Sequence, residues 1–379
     1  MNKKHLRTIV LIAGILIVAE LAATAIFVLR RSKLPERDAE SIESAAPAEA
    51  EETEEAVQTF ANVSGELIRP EREEERYTLT FLGDCTLATD AMSYGGAGTF
   101  VAVVGDDYAY PFAATKAYFE NDDFTITNLE CALTESTATN GTIFAFRGPA
   151  AYTNILKEGG VDFVSFANNH TYDYGQIGYD DSIAALEAAG IPFVERNKTA
   201  MYETESGLKI GIYAAFFTID EANMTAGIRS LREAGADVVV ASLHWGDEGK
   251  YRPTEDQERY GHAAIDAGAD IVYGHHPHVL QRIEEYGDGI IYYSVGNFSF
   301  GGNTNPRDRD TAIFQQEVIR GTDGVIRLGE LTLIPCCVSG TEGVNDFQPT
   351  PYAETDEGYA RVLSKLDGSF DGPDLSINY

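Results

Sequence analysis

The chain is 379 residues long, 44% hydrophobic and 11% aromatic, so it can bury a sizeable core, yet it carries a formal net charge of −32. That charge argues against nucleic acid or an anionic membrane surface as an electrostatic partner. Four scattered cysteines make neither a disulfide framework nor a zinc ribbon, and Cys336 and Cys337 are adjacent, too close for an ordinary disulfide between them.

In chain order, Thr8 to Leu29 is nearly all apolar, long enough to cross a bilayer of about 30 Å as a helix. Lys3, Lys4 and Arg7 precede it, Arg30, Arg31 and Lys33 follow, and Glu20 is the one charge inside. The small residues "ATA" at 23–25 suit a signal-peptide cleavage site. The apolar run continues past them through "IFVL", which favours an uncleaved anchor. Residues 1–37 are therefore expected to be a cytoplasmic stub with a single membrane span. Residues 38–76, with "EAEETEEA" and "PEREEER", hold too few large apolar side chains to offset chain entropy and read as a disordered acidic linker.

A folded domain is expected over 77–379. "YTLTFLGD" at 77–84 alternates as a strand and ends in a Gly-Asp turn. "FTITNLE" at 124–130 and "VDFVSFANN" at 161–169 read as strands, and "IGYDDSIAALEAAG" at 177–190 as a helix with a terminal glycine stop. Strands then follow at 208–216, 236–246, "ADIVYG" and "GIIYYSVGNFSF", with helices over 221–235 and 254–268. "TAIFQQEVIR" and "GVIRLGELTLIP" suggest a closing antiparallel pair. Alternating elements with two-sided apolar strands predict an α/β architecture in which helices cover sheets.

Five of these strand ends finish in residues able to bind a metal. They are Asp84, Glu130, the run Asn168-Asn169-His170, His244, and "YGHHPH", which places three of the seven histidines at 275, 276 and 278. Sites in α/β sheets assemble where strand carboxyl ends and their loops converge. Any one of these endings has a plainer reading as a turn, a cap or a packed imidazole; five in one domain favour a site. Mixed carboxylate, amide and imidazole ligands suit a first-row divalent ion such as Mn, Fe or Zn. At strand spacing His276 and His278 share a face and His275 takes the other. Cys85 and Cys131 each follow a proposed ligand and are expected to be small buried hydrophobes. Asn297, at a strand end, is read as fixing a turn.

"GDCTL", "TNLECAL", "FANNHTYDYG", "ASLHWGDE", "GADIVYGHHPHVLQ" and "YYSVGNFSF", in this order over about 77–301, resemble the motif set of the CapA family of capsule proteins. That family is associated with poly-gamma-glutamate synthesis and export, and is similar in fold to the calcineurin-like metallophosphoesterases. The resemblance implies a four-layer α-β-β-α sandwich. It also implies metal ligands at Asp84, Glu130, Asn169, His244, His276 and His278, with Glu130 in a bridging position. His170 would be the candidate acid, oriented by Asp173. Asn168, Glu248 and Arg147 are candidates for contacting substrate, and Lys250 and Arg252 for offsetting the repulsion of a polyanion. Two positions depart from the phosphoesterase pattern: Asp84-Cys85-Thr86 replaces Asp-x-His, and Glu130 replaces an aspartate.

The expected function is a membrane-anchored extracellular factor of capsule or poly-gamma-glutamate synthesis, hydrolysing the polymer with divalent metal ions. Two alternatives stand beside it: a non-catalytic polymer-binding component of a membrane synthesis complex, and an ordinary calcineurin-like phosphoesterase. The implied partners are the polymer, the membrane through the N-terminal helix, and membrane subunits of a polymer synthase, without nucleic acid. The implied location is the bacterial cell membrane, single-pass, with the domain outside.

Overall fold

The computed structural model describes residues 60–61, 67–68 and 73–376. The chain divides into two units, Met1–Pro70 and Glu71–Tyr379. In the first, Phe60–Ala61 pairs antiparallel with Leu67–Ile68, inside the stretch read as linker. The expected membrane span over 8–29 lies outside the described residues. Among the described residues no helix is long and apolar enough to cross a membrane.

The second unit is built on two sheets. Strands β1 (Glu75–Thr86), β2 (Phe124–Leu129), β3 (Phe163–Phe166) and β4 (Phe193–Glu195) lie side by side and parallel. The second sheet holds β5 (Lys198–Glu203), β6 (Lys209–Phe216), β7 (Val238–His244), β8 (Ile271–His275), β9 (Ile283–Tyr286) and β10 (Gly289–Tyr292), in the order β5-β6-β7-β8-β10-β9. There β6, β7, β8 and β10 are parallel and the two edge strands antiparallel. The chain then returns to the first sheet. There, on the edge of β1 away from β2, β11 (Asn297–Phe300) runs parallel beside its end and β12 (Asp310–Arg320) antiparallel beside its start, with β13 (Ile326–Cys337) and β14 (Thr350–Pro351) extending that antiparallel flank.

Period-two alternation on the strands divides the apolar side chains between three layers. Leu79, Phe81, Phe124 and Ile126 of the first sheet meet Ile210, Ile212, Val238, Val240, Ile271 and Tyr273 of the second in one inter-sheet core. Outside the first sheet, helices α1 (Phe100–Val104), α2 (Thr153–Gly159) and α3 (Gly175–Ala189) bury Phe100, Ile155, Leu156 and Leu186. Outside the second, α4 (Glu221–Glu233) and α5 (Glu255–Asp266) bury Met224, Ile228, Leu231 and Ile265. The layers thus run helix, sheet, sheet, helix. Local signals set the ends: Asp220 accepts from the amides of Ala222 and Asn223 to start α4, Thr254 and Gln257 form a capping box on α5, and Gly190 closes α3 in the left-handed region.

One expected strand divides. "GIIYYSVGNFSF" is two strands in different sheets, β10 and β11, separated by a crossing at Ser294–Gly296 where Gly296 takes φ 68. The carbonyl of Gly296 accepts from the Asp84 amide at 2.8 Å, and a Cβ on Gly83 would collide with it. This close approach explains both glycines and ties the chain return to the end of β1.

Helix α6 (Glu357–Leu366) packs on the antiparallel flank and carries Lys365, only 2% exposed in its side chain, into contact with Asp308 and Asp310, each at 2.7 Å. Arg361 holds Asp310 through two further bonds of 2.7 Å. Burial pushes the Asp310 carboxyl up, but Arg361 and Lys365 outweigh it and hold the group below the usual range. Removing one partner of a buried ion pair strands the other charge, so Lys365→Met should destabilise the protein by about 3–5 kcal/mol. The urea midpoint checks this, and an unchanged midpoint contradicts it. Because its folded value is depressed, the stability Asp310 contributes is complete above the ordinary aspartate value of about 3.9 and is lost as pH falls through the lower folded value. The wild-type midpoint should therefore drop below about pH 4.

Candidate metal centre

On β7, Val238 and Val240 face the inter-sheet core, so Ser242 and His244 continue on that face. On β8, Ile271 and Tyr273 do the same, which aims His275 inward as well. The register pairs His244 with His275. Their Nδ1 atoms lie 3.0 Å apart, and His275 Nε2 is 2.9 Å from Ser242 Oγ, which donates across the sheets to Ser165 Oγ at 2.7 Å. The strand-spacing argument for the histidine run fails here. The strand stops at His275, and His276 (φ 101) and His278 (φ 55) reach the centre from a left-handed loop. His275 touches His244 and does not point away.

Asp84, at the end of β1, accepts from Asn128 Nδ2 at 2.8 Å, and its Oδ2 lies 3.5 Å from His278 Nδ1. Glu130, just past β2, places Oε1 at 3.4 Å from His244 Nε2 and 3.7 Å from His278 Nε2. Asn169 Oδ1 lies 2.6 Å from His244 Nε2. Asn297 donates through Nδ2 to the His278 carbonyl, so its Oδ1, 2.8 Å from His278 Nδ1, accepts. Nδ1 of His278 then carries the proton and Nε2 is left as the ligand atom. Ligand atoms of Asp84, Glu130, His244, His275, His276, His278 and Glu248 form overlapping groups of three, each within 4.8 Å. All six strand-end ligands expected from the sequence are thus brought together.

The cluster contains buried polar atoms without partners among the described residues. Glu130 is fully buried and neither carboxylate oxygen has a hydrogen bond, and Nδ1 of His276 is likewise buried and unpartnered. Burial, then the charges of Asp84, Glu248 and Asp173, push the Glu130 carboxyl well above the usual range. Burial also raises Asp84, against the pull of His278 and the Asn128 hydrogen bond. Burial, together with the neighbouring imidazoles, holds His244 and His276 well below their ordinary value, and burial alone takes His275 down to about 3. Buried carboxyls and neutral imidazoles gathered in this way form a donor set that a divalent cation would hold in its ionised, ligating form. The donor set and the orphaned oxygens fit a divalent metal.

A cavity of about 200 Å³ opens over the cluster, lined by His170, Glu248, His278, Asn297, Phe146 and Phe300 among others. His170 Nδ1 lies 2.8 Å from Asp173 Oδ2, which also accepts from the Phe146 amide at 2.8 Å. That leaves Nε2 of His170 without a hydrogen-bond partner among the described residues. Asn168 faces away from the cavity: it is fully buried and donates to Asn128 Oδ1 and to the Leu129 carbonyl. It braces the loop and is not among the residues lining this cavity. Arg147 lies 3.7 Å over the Tyr94 ring and is not among the residues lining this cavity. Lys250 is committed to Asp374 at 3.2 Å, and Arg252 to the Phe370 carbonyl. All four cysteines are free thiols, and Cys85 and Cys131 are buried in the core outside the first sheet.

The sequence reading missed Asn128, which joins Asp84, Asn168 and, at 3.4 Å, His244 Nδ1. The signal was a polar residue on the inward-facing parity of an otherwise apolar strand. It missed the Ser165–Ser242 bridge for the same reason. Asn297 was read as a turn residue and instead orients His278.

Residues 78–302 match the family model described as bacterial capsule synthesis protein PGA_cap. Among curated relatives, the chain is 29% identical over 273 residues to the capsule biosynthesis protein CapA of Bacillus anthracis, covering 64% of each chain. It is 33% identical over 192 residues to the PGA biosynthesis protein CapA of Bacillus subtilis, covering 45% of this chain and 50% of that one. The match therefore spans less than two thirds of the length of these relatives. Among solved structures, Haemophilus influenzae NAD nucleotidase aligns at 12% identity and a TM-score of 0.42, over 79% of this chain and 57% of that one, a likeness too distant to carry an assignment. With the family model covering most of the domain, strand ends and histidine run included, this chain belongs to the bacterial capsule synthesis protein PGA_cap family.

Proposed function

We propose that the chain is a divalent-metal-dependent hydrolase acting on poly-gamma-glutamate or a related anionic envelope polymer. In this reading Thr8–Leu29 anchors it in the bacterial membrane, beside the polymer synthase, with the domain outside. The observation that carries the proposal is the buried cluster itself, with Glu130 and His276 unpartnered beside a cavity. The polymer is suggested by the name of the Bacillus subtilis relative, a PGA biosynthesis protein.

Asp84, Glu130, Asn169, His244, His276 and His278 would hold the ion, which we expect to be Mn, Fe or Zn. When bound, such an ion supplies Lewis-acid polarisation of a carbonyl or phosphoryl oxygen and eases the ionisation of water. The protein's own groups do the rest. Asp173 fixes the His170 ring through Nδ1, so Nε2 is positioned to give a proton to the leaving amine. Phe146, at 4.5 Å from the His170 ring, and Phe300 wall the cavity and limit water. Glu248 lies beside His276 and His278 and is the residue best placed to orient substrate from the second sheet.

One observation favours a non-catalytic, polymer-binding role instead. Thr86 stands where the resemblance to phosphoesterases calls for an imidazole, and its buried hydroxyl makes no hydrogen bond. Metal binding without turnover would select that reading.

Four outcomes follow from the leading reading. Manganese or zinc should raise the melting temperature of the chelated protein, because a ligand that binds only the folded state stabilises it by mass action. Glu130→Gln should abolish that response while leaving the metal-free protein at least as stable as wild type, since a buried amide costs less than a buried carboxylate. Melting curves with and without metal decide it; a metal response preserved in Glu130→Gln contradicts the site. His276→Ala should eliminate metal-stimulated polymer cleavage with the fold intact, and undiminished turnover would remove that histidine from the chemistry. Asp173→Asn should cut kcat by about 10–100-fold with little change in KM, as expected for a partner that orients a ring; steady-state kinetics on defined oligomers measure it.

A further inference from the structure

The second unit holds another cavity, of about 600 Å³, at the edge formed by β13, β14 and α6. The chain has 28 basic against 60 acidic residues, yet Arg307, Arg309, Arg361 and Lys365 all line this one cavity. Two of them are neutralised, since Lys365 and Arg361 hold Asp308 and Asp310. The other two are not. Arg309 donates only to the carbonyls of Thr341 and Val344, at 2.6 and 2.5 Å, and its Nε is buried without a partner. Arg307 donates to the carbonyl of Ser376. Backbone carbonyls satisfy the hydrogen-bonding geometry of a guanidinium without cancelling its charge, so both retain a preference for a carboxylate or phosphate.

Position gives the cavity its meaning. Arg307 and Asp308 line both this cavity and the one over the metal centre, so the two adjoin. A free anion would occupy one or the other. A chain that repeats a carboxylate can occupy both at once, and each contact raises the effective concentration of the next.

We propose that this cavity, through Arg307 and Arg309, is a subsite for carboxylates of an acidic chain whose neighbouring unit lies at the metal centre. This rests on the polymer-directed reading above and adds a site that selects for chain length. Glu342 and Asp356, both exposed and lining the same cavity, oppose the ligand and set a limit on affinity.

Calorimetry on the full chain with di- and hexa-gamma-glutamate tests it. The hexamer should bind at least about tenfold tighter than the dimer, the size expected from charge-assisted contacts. Arg309→Gln should remove that gain while the dimer's affinity stays constant. Glu342→Lys, a surface change with no folding role, should widen the gain. Equal affinity for both lengths in wild type, or a gain indifferent to both substitutions, overturns the subsite while leaving a polymer-binding protein. Binding of neither oligomer overturns the subsite together with the polymer reading. Inorganic phosphate bound through Arg309 with no effect of oligomer length would make the cavity a free-anion site and likewise overturn the proposal.

Discussion

Glu130 is buried completely, and neither of its carboxylate oxygens has a hydrogen-bond donor. Removing a charge from water without pairing it costs several kcal/mol, so a fold keeps such a group only when something else meets it. The groups around it cannot. Asp84 is another carboxylate, and the imidazoles of His244 and His276 are held neutral by their own burial. The remainder of the centre follows from this deficit. A divalent cation would meet the Glu130 oxygens and Nδ1 of His276 together, and the Thr86 hydroxyl is the one neutral donor beside Glu130.

The fold supports this arrangement from both sheets. Asn128 locks Asp84 to the loop after β3 through Asn168, and the Ser242–Ser165 bond joins the sheets directly beneath His275. Tyr273 donates to the Leu82 carbonyl across the same interface. Above these contacts the backbone is strained. Of the five non-glycine residues with positive φ among those described, Phe217, His276 and His278 adjoin the cluster. Each such residue costs on the order of 1–3 kcal/mol and persists where the surroundings enforce it. Strain, uncompensated burial and a solvent cavity coincide at one place, where function is the economical explanation.

Much of this was legible in the sequence because strand ends carry their chemistry in short local motifs. Asp84, Glu130, His244 and the histidine run each follow an apolar strand, and the parallel topology of β1, β2, β3, β7 and β8 brings those ends together. What was not legible depends on relations between strands. Alternation could not locate the end of β8, so His275 was assigned to the wrong face. A continuous apolar run could not reveal that β10 and β11 belong to different sheets, since Gly296 alone marks the crossing. Asn128 and Ser242 looked like interruptions in core strands until the opposing sheet supplied their partners. The ion cluster of Lys365, Asp308 and Asp310 joins a loop to a helix more than 50 residues later, a separation at which no pattern links them.

Metal content measures the central claim most directly. The purified 379-residue chain, reconstituted with manganese, iron or zinc and dialysed free of excess, should retain stoichiometric metal. Anomalous scattering at that metal's absorption edge should place it among Glu130, His244 and His276. A reconstituted protein that holds none of the three, with Glu130 instead protonated or met by ordered water, would contradict the account.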